Sequence, residues 1–291
     1  MNPPSGEQHR IEGGGWEATV VEVGGGVRTL SFRGRALLDG YAEHEMCTSG
    51  RGQILIPWPN RLRDGRFDDN QLPLNEPEKR NAIHGLVRWA GWRCAERSGS
   101  SVTMTHTLHP QPGYPFTLEL RAAYALSERG LSVETTAHNL GAGTAPFGAG
   151  QHPYLHLADR VDEITLQAPG ALRLETDERS IPVRAVPVAG EYDFREPRRV
   201  GGTVLDTCYG DLGGDPQVHV TAPDGLRVTV ALEHPYRWLM LFSGDPLPDV
   251  ARRSLAVEPM TCPPNALQTG EDVIRLQPDE SVTLRWRLEA A

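Results

Sequence analysis

Glu258 stands in a setting that indicates chemistry. It ends an apolar segment, LAVE at 255–258, and the loop that follows carries three prolines. A buried carboxylate is costly unless a partner or a function compensates for it. Positively charged groups would hold Glu258 ionised, and the candidates are His84, His152 and Arg61. On residue types alone two interpretations stay open, a catalytic carboxylate or a structural one held in an ion pair.

Two of the ten histidines have neighbours that favour a function. His84 precedes Gly85, a residue that lets the backbone approach closely. His152 lies in FGAGQHPYL (147–155), where small residues clear space before it and a proline fixes the chain after it. His152 and His156 do not predict a metal site. Four residues along a strand separate them by about 13 Å, whereas a Zn–N bond is only about 2 Å long.

The stretch GRGQILIPWPNRLRDGRF (50–67) joins an apolar run to a turn that carries Trp58, Asn60 and Arg61. Its two prolines forbid a helix and bias the preceding residues toward extended backbone. One interpretation is a structural loop stiffened by proline, with an arginine packed on Trp58. The other is a binding loop for a polar ligand.

Strands must position these residues, because alternation with a period of two recurs along the chain. It is clearest at 17–23, 131–135, 226–232 and 282–288, and the turn signals between such segments predict hairpins, for example 117–126 with 130–139. No window predicts a long helix. We therefore expect an all-β protein, a large antiparallel β-sandwich forming one domain over 1–291. Residues 1–15 are expected to form a flexible tail, and 175–215 a long excursion over one face.

The composition of the 291 residues restricts the partners. Charged residues are 23% and hydrophobic residues 38%, as in globular proteins, and the net charge is −9 without a basic block. This argues against nucleic acid and against a polybasic membrane contact. Four scattered cysteines and the polar N-terminus lead us to expect reduced thiols and a cytoplasmic protein.

Taken together, these segments resemble the aldose 1-epimerase (galactose mutarotase) family. The similar segments are PWPNRLRDGRF at 57–67, LPLN at 72–75, IHG at 83–85, HPY at 152–154, Asp206 with Tyr209 nearby, and Glu258 followed by PNA at 264–266. They fall in the family's order and cover roughly residues 17–289. The resemblance implies a galactose mutarotase-like supersandwich with a sugar cleft on a concave face. It also implies that α and β anomers of a free aldose, such as glucose or galactose, are interconverted without a cofactor.

The resemblance assigns roles by position. Glu258 matches the family's general base and His152 its general acid, and we expect Glu258 to favour the protonated imidazole. Residues that match those holding the sugar are Arg61, His84 and Asp206, with Asn60 as a flanking amide. Tyr154, Trp58 and Trp89 are candidates either for stacking on the sugar or for the core.

The run QHPYL at 151–155 departs from the best-known galactose mutarotases, which carry Asn before this histidine and Ser-Tyr-Phe after it. The preferred sugar therefore stays open. A hexose-6-phosphate epimerase would need further cations, for which Arg51, Arg61, Arg63 and Arg88 are candidates. A sandwich that binds sugars without turnover would need Arg61 and Asp206 but no acid–base pair. We expect a small-molecule sugar as ligand and either a monomer or a homodimer.

Overall fold

The structure is a computed structural model that describes residues 2–248 and 250–291. Nearly all its regular elements are strands joined by short turns. In chain order the strands are β1 (Gln8–Gly13), β2 (Trp16–Val21), β3 (Val27–Phe32), β4 (Arg35–Ala36), β5 (Ile54–Leu55), β6 (Arg61–Arg63), β7 (Arg66–Phe67), β8 (Asn70–Gln71), β9 (Asn81–Ile83), β10 (Arg93–Arg97), β11 (Ser101–Leu108), β12 (Leu118–Ser127), β13 (Gly130–Asn139), β14 (Ala145–Phe147), β15 (Gly150–Gln151), β16 (Tyr154–Leu155), β17 (Thr165–Gln167), β18 (Leu172–Thr176), β19 (Pro182–Pro187), β20 (Arg198–Arg199), β21 (Asp206–Gly210), β22 (Gln217–Thr221), β23 (Arg227–Leu232), β24 (Trp238–Phe242), β25 (Leu255–Met260), β26 (Ile274–Leu276) and β27 (Ser281–Ala290). One short helix, α1 (Ala266–Thr269), and 3₁₀ turns at Pro77–Lys79, Val161–Glu163 and Gly190–Tyr192 complete the described elements. No helix among these residues is long and apolar enough to cross a membrane.

The larger sheet has nine antiparallel strands in the order β10-β11-β12-β13-β27-β23-β22-β17-β20. The hairpin predicted for 117–126 with 130–139 is confirmed as β12 and β13, which pair from Leu118 with Asn139 to Ser127 with Gly130. Side chains of β12 alternate between buried and exposed, as expected when one face of a sheet covers a core. The C-terminal strand β27 lies between β13 and β23, so the last residues of the chain join its two halves.

The second large sheet has eight strands, in the order β19-β18-β21-β24-β25-β15-β5, with β16 also pairing with β25. Every residue of its central strand β25 is buried. The polar link Trp286–Gln151–Tyr124 connects β15 with the nine-stranded sheet: Gln151 Oε1 accepts from the Trp286 indole at 3.0 Å, and its amide donates to the Tyr124 hydroxyl at 3.3 Å. The predicted antiparallel sandwich is thereby confirmed.

The N-terminal segment corrects an expectation. Residues 1–15 were predicted to be a flexible tail, but β1 is the edge strand of a four-stranded sheet, β1-β2-β3-β4. Ile11 is 0% exposed, because it turns inward while its neighbours Arg10 and Glu12 face outward. Gly14 and Gly15, both with positive φ, form the tight turn into β2. Residue 1 lies outside the described residues.

Residues 175–215 are also more regular than predicted. They supply β19 at the edge of the eight-stranded sheet, β20 at the edge of the nine-stranded sheet, and β21 inside the former. Buried Ile181 and Phe194 fasten the segment to the body of the protein. Some of its charged residues pair within the segment, as Arg184 does with Glu175, and others pair outside it, as Asp177 does with Arg63 and Arg179 with Asp64. Composition shows the charges but not these partners, so it suggested a loose excursion.

Candidate active site

A cavity of about 270 Å³ opens on one face of the eight-stranded sheet. It is lined by all seven residues that the sequence suggested for the site: Asn60, Arg61, His84, His152, Tyr154, Asp206 and Glu258. Its volume lies just below the range of about 300–1,000 Å³ that is typical of drug-sized ligands. The cavity therefore suits a small polar molecule.

The register of the sheet places the acidic residues on the floor of this cavity. Glu258 on β25 lies directly opposite Met240 on β24, and Asp206 on β21 lies opposite Phe242. Because side chains alternate along a strand, Met240 and Phe242 share a face, and so do Glu258 and Asp206. Tyr154 on β16 reaches the same face opposite Ala256.

His152 and Glu258 form the centre of the site. Nε2 of His152 lies 3.3 Å from Oε1 of Glu258, and the side chains are 6% and 2% exposed. The other polar atom of each side chain, Nδ1 of His152 and Oε2 of Glu258, is buried without a hydrogen-bond partner among the described residues. Such orphaned groups are rare and costly in native proteins, so they indicate a place where a ligand supplies the missing contacts.

Burial opposes charge on both members of this pair. Burial, followed by the nearby Asp206 carboxylate, raises the pKa of Glu258 well above its ordinary value of 4.5, although Arg61 pulls it down. Burial, and then the charges of Arg88 and Arg51, lower the pKa of His152 to about 3. These shifts run against the expectation that Glu258 would favour the protonated imidazole, because burial is the largest influence on the pKa of His152.

Two neighbours restrict the His152 ring. Tyr154 stacks on it with ring centroids 4.7 Å apart and planes within 9° of parallel, while the Tyr154 hydroxyl donates to the carbonyl of Ser49 at 3.0 Å. A Cβ on Gly50 would lie 2.9 Å from Cδ2 of the imidazole, so only glycine fits there. The ring therefore packs against a phenol and lies close to the backbone of Gly50.

His84 is held by the proline loop. The backbone N–H of Asn60 donates to Nδ1 of His84 at 3.1 Å, and the N–H of His84 donates back to the carbonyl of Asn60 at 2.9 Å. Because Nδ1 accepts, the neutral ring carries its proton on Nε2 and can donate it. Burial first, and then the charges of His152 and Arg88, hold the pKa of His84 well below 6.5, so this neutral donor form persists. The close approach predicted at Gly85 is confirmed, since a Cβ there would meet the carbonyl of Ile56 at 2.0 Å.

Arg61 is oriented by a residue that sequence reasoning missed. Its guanidinium donates to both carboxylate oxygens of Glu76 at 3.0 Å, and Asn81 donates to the same carboxylate at 2.9 Å. Glu76 follows directly on the family-like LPLN segment, and that position was the only sequence signal available. Because Arg61 contacts both oxygens of Glu76, this ion pair fixes the orientation of the guanidinium as well as balancing its charge.

Asp206 differs from the other acidic groups of the cavity because it is exposed. Within residues 2–248 and 250–291 its carboxylate has no hydrogen-bond or ion-pair partner. It is therefore open to accept hydrogen bonds from a hydroxylated ligand.

The two tryptophans suggested for stacking do not line the cavity. Trp58 is 3% exposed and belongs to the hydrophobic core. Of its two predicted roles, stacking on a sugar or packing in the core, the structure shows the second. Trp89 is 54% exposed, and the guanidinium carbon of Arg88 lies 5.6 Å from the centroid of the Trp89 ring. The apolar walls come instead from Met240, Phe242 and Leu247.

A larger cavity of about 520 Å³ lies elsewhere, beside Trp238. Its polar groups bind one another: Asp272 accepts from the Trp238 indole at 2.8 Å and from Arg237 at 3.4 Å, and Arg237 contacts His234. It offers neither an acid–base pair nor an orphaned buried group among the described residues. We therefore assign the chemistry to the smaller cavity.

Comparisons with known proteins agree with the fold. The crystal structure of the GalM/aldose epimerase homologue from C. elegans superposes with a TM-score of 0.86 at 18% identity, covering 98% of each chain. Galactose 1-epimerase from Lactobacillus acidophilus NCFM superposes with a TM-score of 0.81 at 21% identity, covering 98% of this chain and 94% of that one. These structural similarities define the fold class of the chain as a galactose mutarotase-like β-sandwich.

The sequence narrows this class to a family. Residues 7–289 match the aldose 1-epimerase family. The uncharacterized protein YihR of Escherichia coli (strain K12) is 36% identical over 280 residues, which is 94% of this chain and 90% of YihR. The chain belongs to the aldose 1-epimerase family, and the resemblance inferred from its motifs is confirmed.

Proposed function

We propose that this protein is an aldose 1-epimerase that interconverts the α and β anomers of a free aldose by general acid–base ring opening, without a cofactor. The carrying observation is the buried pair of His152 and Glu258, 3.3 Å apart, in the lining of a sugar-sized cavity. The second polar atom of each side chain is buried and has no hydrogen-bond partner among the described residues. Membership of the family supports the isomerase class.

The reaction requires two proton transfers at neighbouring oxygens. Ring opening of a hemiacetal removes a proton from the C1 hydroxyl and delivers one to the ring oxygen. Both oxygens are bonded to C1, so the acid and the base must lie close together, as His152 and Glu258 do. Glu258 accepts the hydroxyl proton while His152 donates to the ring oxygen. The open-chain sugar then rotates about C1–C2 and recloses with the two roles reversed.

Burial favours the uncharged form of both groups, so the pair holds its single proton mostly on Glu258, and the reactive form with ionised Glu258 and protonated His152 is the minor one. An ionised carboxylate with a raised pKa is a stronger base than an ordinary one. A protonated imidazole with a lowered pKa is a stronger acid. Each group contributes about 10²–10⁴-fold when well placed.

The remaining residues of the cavity hold the sugar. His84 presents an N–H donor beside His152, since the rings meet edge to face at 5.3 Å. Arg61, fixed by Glu76, supplies further donors, and Asp206 supplies an open acceptor. This combination of donors and acceptors matches the hydroxyl groups of an aldose, each of which can donate and accept.

Polarimetry tests the proposal. Freshly dissolved α-glucose and α-galactose should reach rotational equilibrium faster with the protein than in buffer alone, and Glu258→Gln should lose that acceleration. Equilibration of both sugars at the buffer rate would contradict the assignment for these substrates. Sugar binding by calorimetry without acceleration would favour the sandwich that only binds sugars.

A further inference from the structure

The turn between β18 and β19, residues 177–181, lies against the segment that carries Arg61, residues 60–84, although the two are far apart in the sequence. Among the residues that the structure describes, no backbone–backbone hydrogen bond joins the turn to this segment. Side chains make the connection instead, since Lys79 donates to the Ser180 hydroxyl at 2.7 Å and Arg179 pairs with Asp64. Single substitutions can therefore weaken the contact between the turn and the Arg61 segment.

Arg179 makes the largest set of these contacts. Its Nε donates to the carbonyl of Lys79 at 2.7 Å. One of its terminal nitrogens lies 2.7 Å from the carbonyl oxygen of Arg80, 3.0 Å from Oδ1 of Asp64 and 3.3 Å from Oδ1 of Asn81. The side chain is only 19% exposed. A planar guanidinium with this many acceptors is fixed more firmly than one in a single exposed ion pair.

Asn81 links Arg179 to the active site. It is 0% exposed, and its side-chain amide donates to the Arg179 carbonyl at 3.0 Å and to Oε2 of Glu76 at 2.9 Å. The same Oε2 accepts from Nε of Arg61 at 3.0 Å. A chain of hydrogen bonds thus runs from Arg179 through Asn81 and Glu76 to Arg61. Because every group in it is planar and directional, a displacement at one end changes the geometry at the other.

The turn itself offers no room for a sugar. Thr176, Ser180 and Pro182 line a narrow pocket of about 10 Å³ together with Arg61 and Asp206. That volume is about the minimum for one water molecule. Arg179 is not part of the lining of the larger cavity at the His152–Glu258 pair. The route that the structure offers from Arg179 to a bound sugar is therefore the chain to Arg61.

We propose that Arg179 is a positioning residue of the active site, which acts through Asn81 and Glu76 to set the orientation in which Arg61 meets the sugar. This inference rests on the proposed epimerase function and adds to that site a residue from the 175–215 segment. Loss of the Arg179 side chain would remove the donor to Oδ1 of Asn81, so the Asn81 amide would hold Glu76 less firmly. The effect should fall on sugar binding by Arg61 and not on proton transfer.

A double-mutant cycle tests this chain, because residues that act through one another give non-additive effects. The variants are Arg179→Met, Arg61→Ala and their combination, with Arg184→Met as the matched control. Arg184 lies on the same hairpin, and its variant removes the same charge from a side chain that is 68% exposed and pairs with Glu175. Magnetisation transfer between the α and β H1 signals of D-glucose and D-galactose gives kcat and KM.

Arg179→Met should raise KM by about 3- to 10-fold and change kcat by less than about twofold, and Arg184→Met should change neither. The combined variant should have the KM of Arg61→Ala alone, because Arg179 acts through Arg61. Arg179→Lys keeps the charge but loses the multiple contacts, so it should raise KM less, and it takes the place of Arg179→Met in the cycle if that variant does not fold. An unchanged KM in the folded variant, or a combined KM that multiplies the two single effects, would overturn the inference.

A readout that needs no sugar separates this inference from the proposed function. In protein with isotope-labelled arginine, the Nε–Hε NMR signal of Arg61 is identified by its loss in Arg61→Ala. It should shift in Arg179→Met and stay in place in Arg184→Met. If neither sugar exchanges faster than in buffer, the epimerase function fails for these sugars, and this signal decides whether Arg179 positions Arg61. A signal that Arg179→Met leaves in place overturns the inference.

Discussion

The phenol of Tyr154 lies face to face with the imidazole of His152, 4.7 Å between centroids, and is itself fixed by a hydrogen bond to the carbonyl of Ser49. This stack sets the plane in which His152 faces Glu258. Tyr154→Leu should therefore lower kcat by about 3- to 10-fold, the range expected for an aromatic pair. Tyr154→Phe keeps the ring and should retain most of kcat. Equal losses in steady-state assays of the two variants would show that the hydroxyl, not the stack, is responsible.

Glu258→Gln and His152→Asn should each lower kcat by about 10²–10⁴-fold, because each removes one of the two proton transfers. The double variant should be little worse than the poorer single variant, since the two groups act as a unit. Circular dichroism should show an intact fold for all three. A near-normal rate in either single variant would refute the assigned roles.

The pH dependence should reflect the raised pKa of Glu258. The reactive pair carries one proton, which is lost as the pH rises through the raised pKa of Glu258, so kcat/KM should fall as the pH is raised through a value above 4.5. Arg61→Ala should move this limb to higher pH, because Arg61 favours the carboxylate. Asp206→Asn should move it to lower pH, because Asp206 disfavours it. Shifts in the opposite directions would contradict the electrostatics of the site.

Arg61→Ala should raise KM by about tenfold or more with a smaller effect on kcat, because its guanidinium holds hydroxyls and does not transfer the proton. Glu76→Gln should raise KM in the same direction but less, since one amide oxygen cannot hold the guanidinium fork. Arg63→Ala is the matched control, because Arg63 pairs with Asp177 outside the cavity lining. An unchanged KM in Arg61→Ala would make that residue structural.

Gly50 and Gly34 separate backbone strain from contact with the catalytic ring. Their φ angles are +77° and +80°, so alanine at either position should cost about 1–2 kcal/mol in free energy of unfolding. A Cβ on Gly50 would press on His152, whereas one on Gly34 meets nothing within 4 Å. Gly50→Ala alone should lose kcat, by about tenfold or more, because small displacements of a catalytic group are costly. Equal kcat values for the two variants would show that the imidazole tolerates the contact.

The sequence by itself determined the sandwich, because period-two alternation with turn residues between the segments specifies antiparallel strands such as β12 and β13. It also singled out seven residues of the cavity lining, although not Glu76 or the apolar walls, since a glutamate ending an apolar strand and a histidine between glycines and proline are unusual enough to stand out. The local sequence pattern did not predict the strands within 1–15 and 175–215, because strand formation there depends on partners distant in the chain.

Only the tertiary structure decided how these residues are paired. The register of β24 with β25, and of β16 with β25, sets which side chains share a face, and neither can be read from one segment alone. Burial on folding then opposed the expected protonation of His152, because desolvation is a property of the assembled core and not of the residue type. The same assembly joined Arg61 to Glu76 and Arg63 to Asp177, which distinguishes arginines that the sequence presents as equivalent.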